Sequence, residues 1–277
     1  MALSNNQQIL TDDLFRLFRD YIHEKCGIFF KENNKYLLER RLESRMKELN
    51  FSTLNQYYYY LMYDPRSLQE QDSLFDAITT NETYFFREER QLKAFLHEIV
   101  PETLAQKKSI RIWSAGCSSG EEPYTIAILL HEAGFYDRAK IDIYGSDISQ
   151  EALKKARKGI YREISFRNTQ PQYRDRYFVP QENGTYRICD MIKEKVSFGR
   201  LNLMDTTRVS LLGYLDVIFC RNVIIYFDEV AKRKVIEMMH DRLTPSGYLL
   251  LGHSESLISI TTKFKLKHLR YDLVYQK

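Results

Sequence analysis

Residues 111–124, RIWSAGCSSGEEPY, contain a strand–turn–helix pattern from which the architecture of the chain can be worked out. The apolar start is typical of a strand, the small residues at 116–120 suit a tight turn, and Pro123 suits the first turn of a helix. Small residues at the carboxyl end of a strand let a ligand approach the backbone closely. The phosphate-loop spacing is absent, and two carboxylates would repel a phosphate. The pattern therefore predicts either an ordinary connection or a site for a cationic ligand or ribose hydroxyls.

The next apolar stretch, KIDIYGSD at 140–147, ends in an acid. In dinucleotide-binding folds an acid at the tip of the second strand accepts hydrogen bonds from both ribose hydroxyls, and Asp147 has that position, 27 residues after Gly120. The alternative is that Asp147 caps the following helix, a role that Ser149 could equally fill. Together the two features predict an adenosine-containing ligand, and the absence of GxGxxG argues against a nicotinamide cofactor.

The region from about residue 109 alternates short apolar runs with helical stretches. This alternation predicts an α/β fold with a mostly parallel sheet and right-handed crossovers. The predicted strands are 110–115, 140–147, 215–220 and 247–252, the predicted helices are 122–134, 149–158 and 228–243, and 263–269 and 271–276 are predicted to form an edge hairpin. Residues 165–200 break the alternation, and their turn signal Glu182-Asn183-Gly184 predicts a small inserted β-subdomain.

The N-terminal part of the chain shows helical spacing of apolar residues and no strand pattern, which predicts an all-α domain. Thr53 is predicted to cap the third of its four helices, and Asn50 is predicted to end the second. We therefore expect a helical domain over 1–75, a linker helix over 76–100, and an α/β domain over 101–277 that carries the insertion.

The composition of the 277-residue chain narrows the classes of function. Lys and Arg number 41 against 37 acidic residues, a net charge of +4, without the basic runs typical of nucleic-acid binding. The four cysteines form no CxxC pair and have no His at a ligand spacing, so we expect reduced thiols, no disulfide framework and no metal site. No apolar run approaches the roughly 20 residues that span a bilayer, and residues 1–10, MALSNNQQIL, lack the features of a signal peptide. We expect a cytoplasmic protein without membrane insertion.

Two further motifs place polar residues beside predicted core. In CRNVIIYF at 220–227, the apolar residues suit a capped turn, but Arg221 and Tyr226 are left unexplained and are typical of a pocket rim. In TTNETYFFRE at 79–88, the two phenylalanines suit the core, and Arg87 is predicted to be a surface residue unless it faces the pocket.

Six motifs together carry a resemblance to a known family: TTNETYFFR, WSAGCSSGEEPY, GSDIS, ARKGIY, FCRNVIIYF and GHSES, in that order. Over nearly the whole chain this set resembles the chemotaxis receptor glutamate methyltransferases, the CheR family. The resemblance implies S-adenosylmethionine (SAM) as cofactor, with S-adenosylhomocysteine as product, and methylation of glutamate side chains on the cytoplasmic helices of chemoreceptors. It also implies a Rossmann-like methyltransferase domain with an inserted small β-subdomain, preceded by an all-α N-terminal domain.

The resemblance also implies roles for individual residues. Arg87 and Tyr226 match the residues that orient the substrate carboxylate near the methyl group. A glutamate is ionised at neutral pH, so its oxygen is nucleophilic without a general base. The expected cofactor-binding residues are Asn81, Thr83, Arg87, Glu122, Asp147, Asn202, Leu203, Arg221 and Asn222, to which the turn of small residues adds Gly116.

The expected partner, a helical bundle rich in glutamate, should be met by a basic face. Residues 1–75 contain 10 basic and 11 acidic side chains, so only the helix near 35–49 is locally positive. Its candidate docking residues are Arg41, Arg45 and Lys47. Ser44 departs from the family's basic row, and a solvated face laced with glutamates is the alternative.

The insertion looks short beside family members that grip a peptide at the receptor's C-terminus, so we expect this chain not to need that tether. Two other functions remain open at this point. One is a SAM-sensing module without turnover, against which the intact Arg87 and Tyr226 argue. The other is a methyltransferase for RNA or another substrate, which would need a basic groove with stacking aromatics.

Overall fold

The computed structural model describes residues 10–277, and the expectation about a signal peptide falls mainly on residues 1–9, outside the described part. Contacts along the described chain divide it between Thr80 and Asn81 into two compact units, which we call the helical unit and the α/β unit. Within residues 10–277, no helix combines the length and the apolar character needed to cross a membrane.

Between Leu10 and Thr80, the helical unit contains four α-helices joined by short connections. Thr11 caps the first helix by accepting from Leu14 N, and Thr53 caps the third by accepting from Gln56 N, which confirms the predicted cap. Asn50 follows the second helix with φ 58°, in the left-handed conformation expected of a residue that ends a helix. The helices are α1 Asp12–Cys26, α2 Lys35–Glu48, α3 Leu54–Tyr63 and α4 Ser67–Ile78.

The α/β unit is built on a seven-stranded sheet, which confirms the predicted fold class. Its strands are β1 Ser109–Ala115, β2 Lys140–Asp147, β6 Val196–Arg200, β7 Leu215–Cys220, β8 Leu243–Leu251, β9 Lys265–His268 and β10 Leu273–Gln276. In the order β6-β2-β1-β7-β8-β10-β9, the first five are parallel and the last two form an antiparallel edge hairpin, as predicted. Most residues of β1 and all residues of β7 are buried, as expected of central strands with helices on both faces.

Helices connect and flank these strands. The crossover helices α7 (Glu121–Glu132), α8 (Gln150–Lys158) and α12 (Glu229–Arg242) lie within one or two residues of their predicted bounds, and the side chains of Ser149 and Asp228 cap α8 and α12. The helices of the unit are α5 Glu89–Ala94, α6 Val100–Gln106, α7 Glu121–Glu132, α8 Gln150–Lys158, α9 Pro171–Tyr177, α10 Asp190–Lys193, α11 Thr206–Ser210 and α12 Glu229–Arg242.

The inserted β-subdomain differs from its predicted bounds of 165–200. It is a three-stranded antiparallel sheet in the order β3-β5-β4, made of β3 Ile160–Arg162, β4 Phe178–Pro180 and β5 Thr185–Ile188. Residues 196–200 are instead β6, the edge strand that pairs with β2 in the main sheet. Both β3 and β6 are too short to show a clear period, and β3 follows directly on the helix end at Gly159.

The predicted linker helix over 76–100 is also interrupted. Helix α4 ends at Ile78, α5 begins only at Glu89, and a π-helical turn at Phe95–Ile99 joins α5 to α6. Between α4 and α5, Phe86 and Glu88 have φ of 59° and 55°, which helical backbone cannot accommodate. Phe85 holds this segment in the α/β unit, because it is fully buried and its ring lies 5.2 Å from that of Phe166.

Candidate functional site

The predicted site residues of the α/β unit lie mostly in loops at the carboxyl ends of its parallel strands. Strand β1 is the switch point, because the chain runs from β1 to β2 and β6 on one side and to β7 and β8 on the other. Open α/β sheets bind ligands in the crevice at such a point. The segment over residues 81–88, which precedes α5, reaches the same loops.

The turn after β1 packs tightly on its two neighbours. Gly116 N and Cys117 N donate to Ser146 O at 2.8 and 2.9 Å, and a Cβ on Gly116 would lie 2.5 Å from Val223 Cγ2. Gly116 has φ +73°, so the turn requires glycine for both its conformation and its space. Ser118, with φ 49°, continues the left-handed turn.

Asp147 is 7% exposed at the end of β2, and its carboxylate fixes the neighbouring backbone. Its two oxygens accept from Ser118 N at 2.8 Å and Ser149 N at 2.9 Å. Ser149 caps α8 by accepting from Ala152 N, so the cap assigned alternatively to Asp147 is made by Ser149. A carboxylate at the end of the second strand is the acceptor expected for ligand hydroxyls in folds of this type.

The segment over 81–88 is tied to the turn after β1. Ser118 Oγ lies 3.4 Å from both Asn81 O and Asn81 Oδ1. Arg87 is half-buried, and its guanidinium donates to Glu82 O at 3.2 Å. Within residues 10–277 no carboxylate forms an ion pair with this guanidinium, so it remains available to an anionic ligand.

Arg221, directly after β7, connects three parts of the site. Its side chain is 2% exposed and donates to Glu122 Oε2 at 3.1 Å, Glu88 Oε2 at 3.0 Å and Arg87 O at 2.6 Å. Burial raises the pKa of the Glu122 carboxyl, and the Arg221 guanidinium acts in the opposite direction. Two carboxylates around one guanidinium leave a net negative charge, which favours a cationic group nearby.

The loop after β7 is held by a carboxylate that the sequence prediction missed. Glu255, after β8, accepts from the backbone N–H groups of Asn222, Val223, Ile225 and Gly252 at 2.7–3.2 Å. Burial raises the pKa of Glu255, and these four contacts act to lower it. The motif GHSES contains Glu255, but nothing in one sequence distinguishes this acid from a solvated loop residue. Glu88 was missed for the same reason.

The remaining predicted residues lie on the same loops. Asn222 has φ 59°, and its buried Oδ1 accepts no hydrogen bond from any of residues 10–277. Leu201 N donates to Asp147 O, which brings the loop of Asn202 and Leu203 to the end of β2. Tyr226, in a 3-10 turn, is 36% exposed, and Thr83 is half-buried.

The docking residues predicted in the helical unit have different surroundings, and one of them is corrected. Arg45 donates to both oxygens of Glu70 at 2.9 and 2.7 Å, and the side chains are 14% and 4% exposed, so Arg45 stabilises the unit internally and is not a docking side chain. Arg41 donates to Thr80 Oγ1 and to the carbonyl of Ile78. Lys47 is exposed, 3.8 Å from a Glu43 oxygen.

These side chains suit one kind of ligand. Asp147 can accept from a pair of hydroxyls, and Asn222 Oδ1 is a buried acceptor without a partner among the described residues. The negative charge around Glu122 suits a positive group on the same ligand. A nucleoside that carries a sulfonium and an amino group has all of these features.

Comparison with known proteins agrees with this geometry. Residues 81–272 match the CheR methyltransferase SAM-binding domain, and residues 13–79 match the CheR methyltransferase all-alpha domain. The chain is 38% identical over 275 residues to chemotaxis protein methyltransferase 2 of Vibrio cholerae, covering 98% of this chain and 95% of that protein. It is 37% identical to the chemotaxis protein methyltransferase of Borreliella burgdorferi, covering 91% and 90%, and 34% identical to that of Vibrio parahaemolyticus, covering 96% and 98%.

The match over the α/β unit confirms SAM as the cofactor predicted from the resemblance. The site residues fit SAM. Their carboxylates suit its hydroxyls and cationic groups, and the buried amide oxygen of Asn222 is a further acceptor. The two family matches together cover nearly the whole chain. The chain therefore belongs to the CheR family of SAM-dependent methyltransferases.

Proposed function

We propose that the chain transfers a methyl group from SAM to the side-chain carboxylate of glutamates on cytoplasmic helices of chemoreceptors, and that it does so in the cytoplasm. Its relatives are named chemotaxis protein methyltransferases, which supports methylation in chemotaxis. The observation that carries the choice of a carboxylate acceptor is Arg87. Its backbone carbonyl is held by the buried Arg221, and its guanidinium has no carboxylate partner within residues 10–277.

The chemistry needs orientation more than acid–base catalysis. A glutamate is ionised at neutral pH and is nucleophilic without a base. When bound, SAM supplies an electrophilic methyl group on a sulfonium. Arg87 binds the incoming carboxylate through its forked N–H groups, and the Tyr226 hydroxyl donates to it. Because tight pairing would reduce nucleophilicity, the main effect of Arg87 is to orient the carboxylate for in-line attack.

The thiols near the site do not compete for the methyl group. Burial raises the pKa of Cys117 and Cys220 well above the ordinary value for a thiol. Both therefore stay protonated and shielded from solvent at neutral pH, and neither supplies the thiolate that nucleophilic attack requires.

The test is transfer of tritiated methyl from SAM to cytoplasmic fragments of candidate receptors. We expect base-labile methyl ester on the fragments, and none on matched fragments whose glutamates are replaced by glutamine. Arg87→Ala, assayed at saturating SAM, should reduce kcat/KM for the receptor fragment by about 100-fold, since a misplaced reacting group costs that much. Arg138→Ala, which changes an exposed arginine elsewhere in the α/β unit, is the matched control.

Two outcomes would replace this function. Strong SAM binding with no transfer to any receptor would favour a sensing module without turnover. Base-stable methyl transfer, or transfer to another class of substrate, would favour a methyltransferase of different specificity.

We also propose that α2 docks the receptor bundle through Arg41 and Lys47, with Arg45 removed from the set. Lys47→Glu should raise the KM for the receptor without changing SAM affinity, whereas Lys31→Glu, also exposed in the helical unit, should change neither. An unchanged receptor KM for Lys47→Glu would contradict this docking.

We propose further that the receptor's C-terminal peptide is not needed as a tether. Calorimetry with that peptide should show no binding, and micromolar affinity would overturn the proposal.

A further inference from the structure

Glu255 stands out because one buried carboxylate collects four backbone N–H groups. Its Oε2 accepts from Asn222 N at 2.7 Å and Gly252 N at 2.8 Å, and its Oε1 accepts from Val223 N at 2.9 Å and Ile225 N at 3.2 Å. We call this arrangement the Glu255 clamp. Four convergent N–H donors require an acceptor with two oxygens and no proton, and an ionised carboxylate is the side chain that provides it.

The clamp holds the loop that carries three of the proposed site residues. Arg221 and Asn222 follow β7 directly, and Tyr226 lies at the end of the 3-10 turn whose Ile225 N–H is one of the donors. Three of the four N–H groups therefore belong to this single loop, and the fourth anchors it to the end of β8.

The held conformation is one that the loop would not adopt by itself. Asn222 has φ 59°, a left-handed value that is uncommon for a residue other than glycine. A Cβ on Gly252 would lie 2.7 Å from Asn222 Nδ2 and 2.9 Å from Asn222 N, so the loop presses closely against the end of β8. Surroundings of this kind maintain backbone strain at functional sites.

We infer that Glu255 is a positioning residue for SAM binding: it fixes Asn222, and the loop behind it, in the conformation that receives the cofactor. The buried Asn222 Oδ1 accepts no hydrogen bond from the described residues, as expected of an acceptor kept for a ligand. The inference concerns cofactor binding and holds whatever the methyl acceptor is.

Glu255→Gln is the direct test because it keeps the shape and replaces one oxygen by an NH2 group. That group faces two N–H donors, so two of the four contacts become repulsive. We expect the dissociation constant for SAM, measured by calorimetry, to rise about 10- to 100-fold, in line with the effect of a small misplacement at a site. Hydrogen exchange in the SAM-free protein should accelerate at residues 222–225. Glu194→Gln, an exposed glutamate of the same unit, should leave both unchanged.

Two further measurements separate positioning from mere stability. At saturating SAM, the KM for the methyl acceptor should rise less than the dissociation constant for SAM does, because only Tyr226 of the proposed acceptor contacts lies on the clamped loop. Glu255→Asp keeps the charge on a shorter side chain, so its SAM affinity should fall between wild type and Glu255→Gln. It carries the test if the glutamine variant does not fold.

The inference is overturned if a folded Glu255 variant shows faster exchange at residues 222–225 with unchanged SAM affinity. It is also overturned if exchange there stays slow. Loss of methyl transfer with normal SAM affinity would also overturn it, because Glu255 would then position Tyr226 for the acceptor and not the loop for SAM.

Discussion

Replacing Arg221 with methionine should destabilise the α/β unit far more than the loss of a single polar side chain usually does. The guanidinium is 2% exposed and faces Glu88 and Glu122, which are only 13% and 16% exposed. Removing one partner of a buried ion pair costs about 3–5 kcal/mol, because the remaining charge is left buried and uncompensated. Methionine fills most of the volume, so about 4 kcal/mol of the free energy of unfolding should be lost. For a unit of this size that corresponds to a fall in Tm of about 8–16 °C.

The chain offers a clean assay for this change. Trp113 is its single tryptophan, fully buried in β1, so tryptophan fluorescence reports the unfolding of the α/β unit alone. Guanidinium titrations of the full chain should show the midpoint moving down for Arg221→Met and not for Arg138→Met, which replaces an exposed arginine. Adding Glu122→Gln to Arg221→Met should restore part of the loss, since one uncompensated carboxylate is removed.

The loss should also depend on pH with a defined sign. Burial already raises the pKa of Glu122, and Arg221 opposes that shift, so the variant raises this pKa further. A carboxyl whose folded pKa is raised binds more protons when folded than when unfolded, so its folded form gains stability as pH falls. The difference in free energy of unfolding between wild type and Arg221→Met should therefore narrow from pH 8 toward pH 5. A gap that stays constant, or one no larger than that of the control, would refute the reasoning.

Three further predictions follow from single contacts. Gly116→Ala should weaken SAM binding and should destabilise the α/β unit by more than the roughly 1 kcal/mol expected of Gly134→Ala. Both glycines have positive φ, but only at Gly116 would the added Cβ clash with a neighbour. Equal losses of stability for the two variants in fluorescence titrations would contradict this. Burial raises the pKa of Glu121 above its ordinary value of 4.5, so the wild type should lose stability as pH rises through the raised pKa. Glu121→Gln should flatten this decline and should be at least as stable as the wild type at pH 7. A large loss of stability in this variant at pH 7 would contradict the prediction. Arg45→Met leaves Glu70 buried without its cation and should cost the helical unit about 3–5 kcal/mol, seen as early loss of helical circular dichroism; a loss below about 1 kcal/mol would show the pair to be dispensable.

The main helices and strands could be predicted because the sequence patterns that mark them involve residues close together in the chain. Strands β1, β2 and β7 each contain a short apolar run that shows in the sequence, although Arg111, Asp142 and Asp216 interrupt the pattern. Thr53 and Ser149 cap helices through their own neighbouring N–H groups. The turn after β1 and Asp147 at the end of β2 were visible for the same reason, since the strands fix where they lie.

The parts that were missed depend on residues distant in the chain. Arg45 looks like an exposed member of a basic helix until Glu70, 25 residues later, is seen to receive it. Glu255 looks like any loop acid until N–H groups about 30 residues earlier converge on it. The edge strand β6 could be assigned only by its pairing with β2, since five residues carry too little pattern.

The left-handed backbone described at the site sets a limit on redesign for heat resistance. Of the seven non-glycine residues with positive φ among residues 10–277, four lie in the site's loops. These four are Phe86, Glu88, Ser118 and Asn222, and the other three are Asn50, Ser246 and Ser259. Screening for thermal tolerance alone should reward glycine at the exposed Asn50, Ser246 and Ser259, where the change relieves strain and removes little packing. It should not do so at Phe86, which is buried against Tyr173. Only the last three positions can be relaxed without loosening the loops that receive SAM, so a library meant to keep turnover should be confined to them.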